Sequence, residues 1–155
     1  MRVAIFIFND VEILDFTGPY EVFSSTRKTS KILNNNNINE IYKHPGPFKV
    51  FTISSKNKNI VTTGGMQITS KYNFLDDPEF DILLIPGGKG TRKLISDQSL
   101  LSWIKDKRNT KLIMSVCTGS LLLASAGLLK DKKATTHWSA LKLLKELSPS
   151  TKVLK

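Results

Sequence analysis

Short, wholly apolar runs alternating with helix-period segments constrain this chain more than any other feature. The plainest is Ile82-Leu83-Leu84-Ile85, which closes the run 80–85 and stops at Pro86-Gly87-Gly88. A strand without a polar face needs cover on both sides, the condition of a strand inside a parallel sheet, and Pro-Gly-Gly ends it in a tight turn. Residues 3–8, Val3-Ala4-Ile5-Phe6-Ile7-Phe8, predict a buried first strand in the same way. Residues 48–54 alternate as a strand, and 111–116 predict a further central strand. Helical spacing covers 15 to about 29, with Pro19 tolerated in the first turn, then 100–108, 118–129 and 138–147. The last of these puts Trp138, Leu141, Leu144 and Leu147 on one side. Residues 60–70, with Gly64-Gly65 at their centre, predict a small hairpin, and 134–137 a short strand. This alternation predicts an α/β three-layer sandwich, its largely parallel central sheet flanked by helices. No repeat and no linker divides the chain, so its 155 residues are expected to form one domain.

The remaining segments are polar. Residues 32–43 contain Asn34-Asn35-Asn36-Asn37 and predict a loop insertion, and His44 before Pro45-Gly46-Pro47 reads as a loop residue without a chemical role. The formal net charge of +10 invites a nucleic-acid reading. The lysines, however, are scattered among asparagines and along the last quarter of the chain, with no Arg-rich helix or aromatic ladder. They predict a solvated surface with weak, salt-sensitive adhesion to polyanions and no specific nucleic-acid partner. No run approaches the roughly 18 apolar residues of a membrane span. The apolar opening reaches Asn9-Asp10 too soon, and without a small-residue cleavage site, to read as a signal peptide. One cysteine allows no internal disulfide and fits a reducing, cytoplasmic setting. Met66 and Trp103 read as core or subunit-contact residues.

That cysteine sits in Ser115-Val116-Cys117-Thr118-Gly119-Ser120, where strand pattern hands over to helix pattern. A residue there is held on a sharp turn, exposed, with the amides of the following helix around it, the setting of a nucleophile elbow. A helix N-terminus contributes up to about 2 kcal/mol to the charged form. Converted at 1.36 kcal/mol per pH unit, that brings a thiol from about 8.5 only near neutrality. In parallel sheets ligands bind beyond the carboxyl ends of strands. Residues 9–15, Pro86-Gly87-Gly88, Cys117-Thr118-Gly119 and His137 all fall at or just after such ends, so they are expected to converge. Plainer readings stand beside this one. Asp15 would also serve as a helix N-cap, and His137 as a satisfied core histidine. No ligand spacing supports a metal site.

Taken together, Leu14-Asp15-Phe16-Thr17-Gly18-Pro19 with Glu21-Val22-Phe23, Pro45-Gly46-Pro47, Ile85-Pro86-Gly87-Gly88, the cysteine stretch, Ala126-Gly127-Leu128-Leu129 and Ala134-Thr135-Thr136-His137-Trp138 resemble the ThiJ/PfpI superfamily. Within it the likeness is to the isonitrile-hydrating branch, and it runs over nearly the whole chain. The resemblance implies a class-I glutamine-amidotransferase-like, flavodoxin-like fold and a cofactor-free, metal-free hydratase that converts isonitriles to N-substituted formamides. It implies Cys117 as nucleophile, Asp15 as acid/base and Thr118 as the residue positioning substrate or water. His137 takes the place of the histidine kept near the cysteine. The amides of Gly87, Gly88 and Thr118 would stabilise developing charge, and Gly18 would line the substrate site. A carboxylate beside a thiol repels the second charge, so the pair is expected to share one proton, with Asp15 donating to a thiolate. The resemblance also implies a homodimer. It leaves open a ligand-sensing reading, since AraC-type regulators carry a similar domain, and a stress-protective one with Cys117 as a redox-sensitive thiol. Relatives continue beyond the helix after Thr-Thr-His-Trp, whereas here 151–155 read as the start of the next strand. An open sheet edge and marginal stability are therefore expected: either this is a shortened, inactive copy, which touches catalytic competence more than fold, or a second chain supplies the missing cover.

Overall fold

The computed structural model describes residues 1–27 and 45–155. The expected end of the first helix beyond residue 27, the loop 32–43 and His44 lie outside the described residues. Strand β1 (Arg2–Phe6) enters the centre of a five-stranded sheet, and α1 (Ile13–Ser25) follows it. Next come β2 (Lys49–Ser54), the hairpin strands β3 (Asn59–Val61) and β4 (Gln67–Thr69), and the short β5 (Tyr72–Asn73). Then follow β6 (Ile82–Ile85), α2 (Thr91–Leu94), α3 (Gln98–Asp106), β7 (Leu112–Ser115) and α4 (Gly119–Ser125). The chain closes with β8 (Lys133–Ala134), a 3-10 turn over Trp138–Ala140, α5 (Leu141–Leu147) and β9 (Lys152–Val153). The main sheet runs β5-β2-β1-β6-β7 with every neighbouring pair parallel, flanked by helices as the alternation predicts.

Register follows burial. Val3 lies between Val50 and Ile82, and Ile82 pairs with Leu112. All four side chains of β6 are at most 3% exposed, as its unbroken apolar run requires. Each such side chain contributes about 1.5–3 kcal/mol of burial free energy. The chain leaves β1 toward β2 on one side and later places β6 on the other. This makes the crevice between the carboxyl ends of β1 and β6 the topological switch point where α/β proteins place ligands.

Several expectations are corrected. Residues 111–116 form an edge rather than a central strand among the described residues, with Leu112 46% exposed. Helix α1 begins two residues before Asp15, which moves Pro19 out of the first turn and into the helix interior. The helix expected over 118–129 is shorter, because Gly127 turns left-handed at φ 77° and closes it. In place of one helix over 138–147, His137 caps a 3-10 turn that swings Trp138 out to 78% exposure, and only then does α5 begin. Strands β8 and β9 pair with each other in a separate two-stranded sheet instead of extending the main one. Met66 is half exposed, outside the core, whereas Trp103 stacks on Phe74 at 4.0 Å between ring centroids. Among the described residues no helix is long and apolar enough to cross a membrane.

Candidate active site

Four chain segments meet where β1, β6 and β7 end. The first is tied to the second by backbone: the Glu12 amide donates to the Gly87 carbonyl at 2.9 Å, and Val11 bridges Gly88. The second is tied to the third where the Val116 amide donates to the Ile85 carbonyl at 3.0 Å. The fourth reaches the third through the Thr136 hydroxyl, which donates to the Cys117 carbonyl at 3.1 Å. The expected convergence is therefore present, with Thr136 rather than His137 making the fourth contact.

Cys117 occupies the turn between β7 and α4 at φ 52°, a left-handed conformation costly for a residue with a Cβ. The Ser120 hydroxyl donates to its carbonyl at 3.2 Å and Thr136 donates to the same oxygen, so two side chains hold the turn from outside. The side chain is partly buried. This is the elbow predicted from the strand-to-helix handover.

Asp15 lies in the first turn of α1, but Glu12 is the N-cap residue. The Asp15 carboxylate leaves its own helix and accepts the Gly87 amide at Oδ2, 3.0 Å away, which sets aside the capping reading. From there it stands within hydrogen-bonding reach of the Cys117 thiol. Burial pushes that thiol above its ordinary range, and the Asp15 charge adds to the rise. The Thr118 amide and hydroxyl act in the opposite direction, since both stabilise a thiolate. On balance burial and the Asp15 charge favour the protonated thiol. The expectation from sequence placed the proton on Asp15 and the charge on sulfur. It weighed the helix end but not the burial of the thiol.

Thr118 is 4% exposed and its Oγ1 accepts the Gly88 amide at 3.1 Å. The two glycine amides are thereby engaged, one on Asp15 and one on Thr118. Each orients a site residue, and the Thr118 amide, expected with them from sequence as a donor to developing charge, favours a thiolate. Gly87 is also the gap through which these groups approach. A Cβ there would lie 2.7 Å from Asp15 Oδ2, 2.7 Å from the Thr118 nitrogen and 2.8 Å from Thr118 Oγ1. Gly18, one turn beyond Asp15 on α1, is exposed, and a Cβ there would meet nothing within 4 Å. His137 turns away from this cluster. Its Nδ1 caps the following turn, 3.3 Å from the Ser139 amide and 2.9 Å from its hydroxyl, and the residue is exposed. Among the described residues, no group of three or more His, Cys, Asp or Glu side chains gathers as a metal site would require.

Two site residues escaped sequence reasoning. Thr136 was quoted only as part of a motif, and Thr91 not at all. Thr91 is fully buried beside Thr118, its Oγ1 3.2 Å from Thr118 Oγ1. The position of Thr91 four residues after Gly87, at a helix start, was the available signal.

A parallel sheet with a cysteine elbow at its switch point and a carboxylate brought over from the first helix defines a class, and comparison with known proteins agrees. The chain belongs to the DJ-1/PfpI family, which it matches over residues 1–151. Isonitrile hydratase of Pseudomonas putida is 32% identical over 148 residues, covering 95% of this chain and 57% of that protein. The HTH-type transcriptional regulator GbdR of Pseudomonas aeruginosa is 28% identical over 92 residues, covering 59% of this chain and 25% of the regulator. A crystal structure of a ThiJ/PfpI family protein from Pseudomonas syringae superposes with a TM-score of 0.77 at 28% identity, covering 94% of this chain and 54% of that one. The chain thus spans a little over half the length of the hydratase and of the solved protein.

Proposed function

We propose that this protein hydrates isonitriles to N-substituted formamides, with Cys117 as nucleophile and Asp15 as acid and base. The observation that carries the reading is a partly buried thiol on a left-handed elbow, its ionisation opposed by Asp15 and favoured by the Thr118 amide and hydroxyl. The likeness to isonitrile hydratase supplies the substrate class.

The chemistry starts from one proton shared by the pair. Asp15 takes the thiol proton while Thr118 steadies the thiolate. Sulfur forms a bond to the terminal isonitrile carbon, and Asp15 returns the proton to that carbon, giving the thioimidate S–CH=N–R. Water then adds to this carbon, one of its protons passing through Asp15 to the nitrogen. The carbon–sulfur bond breaks, the hydroxyl proton returns to sulfur, and R–NH–CHO leaves. Every proton delivered is drawn from the thiol or the water, so no cofactor is needed. His137 has no step in this sequence.

Purified protein incubated with cyclohexyl isocyanide is expected to yield the formamide, and Cys117→Ala and Asp15→Asn are each expected to abolish it. Turnover surviving both changes refutes the covalent route. A second reading, ligand sensing without turnover, draws on the similarity to the HTH-type regulators. Saturable binding of the isonitrile with no product formed would select it. Gel filtration with light scattering tests the homodimer that accompanies the hydratase reading.

A further inference from the structure

We propose that Thr91 is a positioning residue that turns the Thr118 hydroxyl proton toward the Cys117 sulfur. The inference rests on the reading of Cys117 as an accessible nucleophile and deepens it, since neither motif nor resemblance assigns Thr91 a role.

The Thr118 hydroxyl has one proton and two places to send it. One is the sulfur, which Thr118 helps to stabilise in its charged form. The other is the Gly88 carbonyl, 3.3 Å from Thr118 Oγ1. A carbonyl oxygen has two lone pairs. At Gly88 both have nearer claimants from α2: the Thr91 hydroxyl at 2.8 Å and the Thr91 amide at 3.2 Å. With that oxygen occupied, the long contact from Thr118 is the weakest of three and loses the competition. Meanwhile the Gly88 amide donates to Thr118 Oγ1 at 3.1 Å, so the oxygen is held while its proton points elsewhere. The Arg92 guanidinium donates to Thr91 Oγ1 at 3.2 Å, occupying a lone pair there and leaving the Thr91 hydroxyl to act as a donor. Thr91 is 0% exposed and Thr118 4%, so the exchange takes place away from bulk water. Without Thr91's hydroxyl the Gly88 carbonyl reclaims the Thr118 proton, and the thiolate loses a donor.

The charged and titratable groups around the sulfur stay in place when this hydroxyl is removed. Asp15 faces it from α1. Glu12 and the Asp10–Lys93 pair, 4.0 Å apart, border the neighbouring loop, Arg92 lies on α2, and His137 follows Thr136 in the fourth segment. Thr91→Val changes none of their charges and keeps the volume of the buried side chain. A moved titration would therefore report the hydroxyl.

The test is the pH dependence of Cys117 alkylation by iodoacetamide, followed by intact mass, in the parent protein, Thr91→Val and Thr91→Ser. This readout needs no turnover. A hydrogen bond to a charged group corresponds to a shift of about one pH unit or more. The expected result is an alkylation midpoint displaced upward by about that amount in Thr91→Val and restored in Thr91→Ser. Thr91→Ala carries the same expectation should the valine variant not fold. A hydroxyl with a purely structural role would lower the melting temperature and leave the midpoint unmoved, and that outcome overturns the proposal. A parent sulfur that iodoacetamide never reaches overturns the nucleophile reading together with it. A reactive sulfur indifferent to Thr91 overturns the positioning role alone.

Discussion

Replacing Gly87 with alanine perturbs the site at the one point where three of its parts touch. The new Cβ would stand 2.7 Å from Asp15 Oδ2 and from the Thr118 nitrogen, and 2.8 Å from Thr118 Oγ1. Ordinary contact begins at 3.4 Å, so Asp15 and Thr118 must each retreat by about 0.7 Å, in different directions. Two of the three atoms are fixed by main chain or by the buried Thr118, so relief cannot come from a flexible side-chain end alone. A misplacement of about 1 Å costs on the order of 100-fold in rate, so a loss of about 30- to 100-fold is expected. Overpacking also costs about 1–3 kcal/mol, read as a fall in melting temperature of roughly 2–4 °C per kcal/mol. Formamide production from cyclohexyl isocyanide, Cys117 alkylation and thermal melting are the three assays. Gly18→Ala is the matched comparison for stability, because a Cβ there meets nothing within 4 Å. In an exposed helix position, alanine stabilises by about 0.5–1 kcal/mol over glycine. A Gly87→Ala protein that hydrates the isonitrile within about threefold of the parent and alkylates on the parent's pH profile would refute the reasoning.

Four further outcomes follow from the same structure. Asp15 raises the Cys117 thiol through its charge and hydrogen bond, so Asp15→Asn should lower the alkylation midpoint while abolishing turnover; a midpoint that rises would contradict the pairing. Because burial and Asp15 make the folded protein hold the thiol proton more tightly than the unfolded chain, stability from this group is fully present below the ordinary thiol range and declines as pH rises through the folded midpoint, a trend that denaturant titrations across that range would show. Cys117 at φ 52° carries backbone strain, so Cys117→Gly should be more stable than Cys117→Ala by about 1 kcal/mol, and melting curves ranking alanine higher would count against the strain. Leu84, 0% exposed in β6, should cost about 2–5 kcal/mol when cut to alanine, and a denaturant midpoint close to the parent's would deny β6 its place in the core.

Much of the fold was legible because its strands announce themselves. Ile82-Leu83-Leu84-Ile85 has no polar face, and such a run has few homes outside a covered parallel sheet. The position of β7 was not legible. Leu112-Ile113-Met114 is as apolar as an interior strand, and periodicity carries no information about which neighbour lies alongside. Trp138 misled for a related reason: its spacing from Leu141 and Leu144 suits a helix face. His137 and Ser139 instead offer local hydrogen bonds that bend the chain into a 3-10 turn and expose the ring. Within the site, Cys117 and Asp15 were readable because their chemistry limits what they can be doing. Thr91 and Thr136 were not, since each works through main-chain carbonyls at Gly88 and Cys117, and a threonine that serves a carbonyl looks like any other threonine.

The Pro-Gly-Gly turn after β6 behaves as a jig built of peptide units. One amide sets the acid, the next sets the hydroxyl, and the interval between them is that between consecutive residues of a planar chain. Such an interval is indifferent to side-chain chemistry and cannot be tuned gradually by mutation. Change that leaves this turn intact must therefore act through side chains around it, while the interval between the acid and the hydroxyl stays set by the backbone.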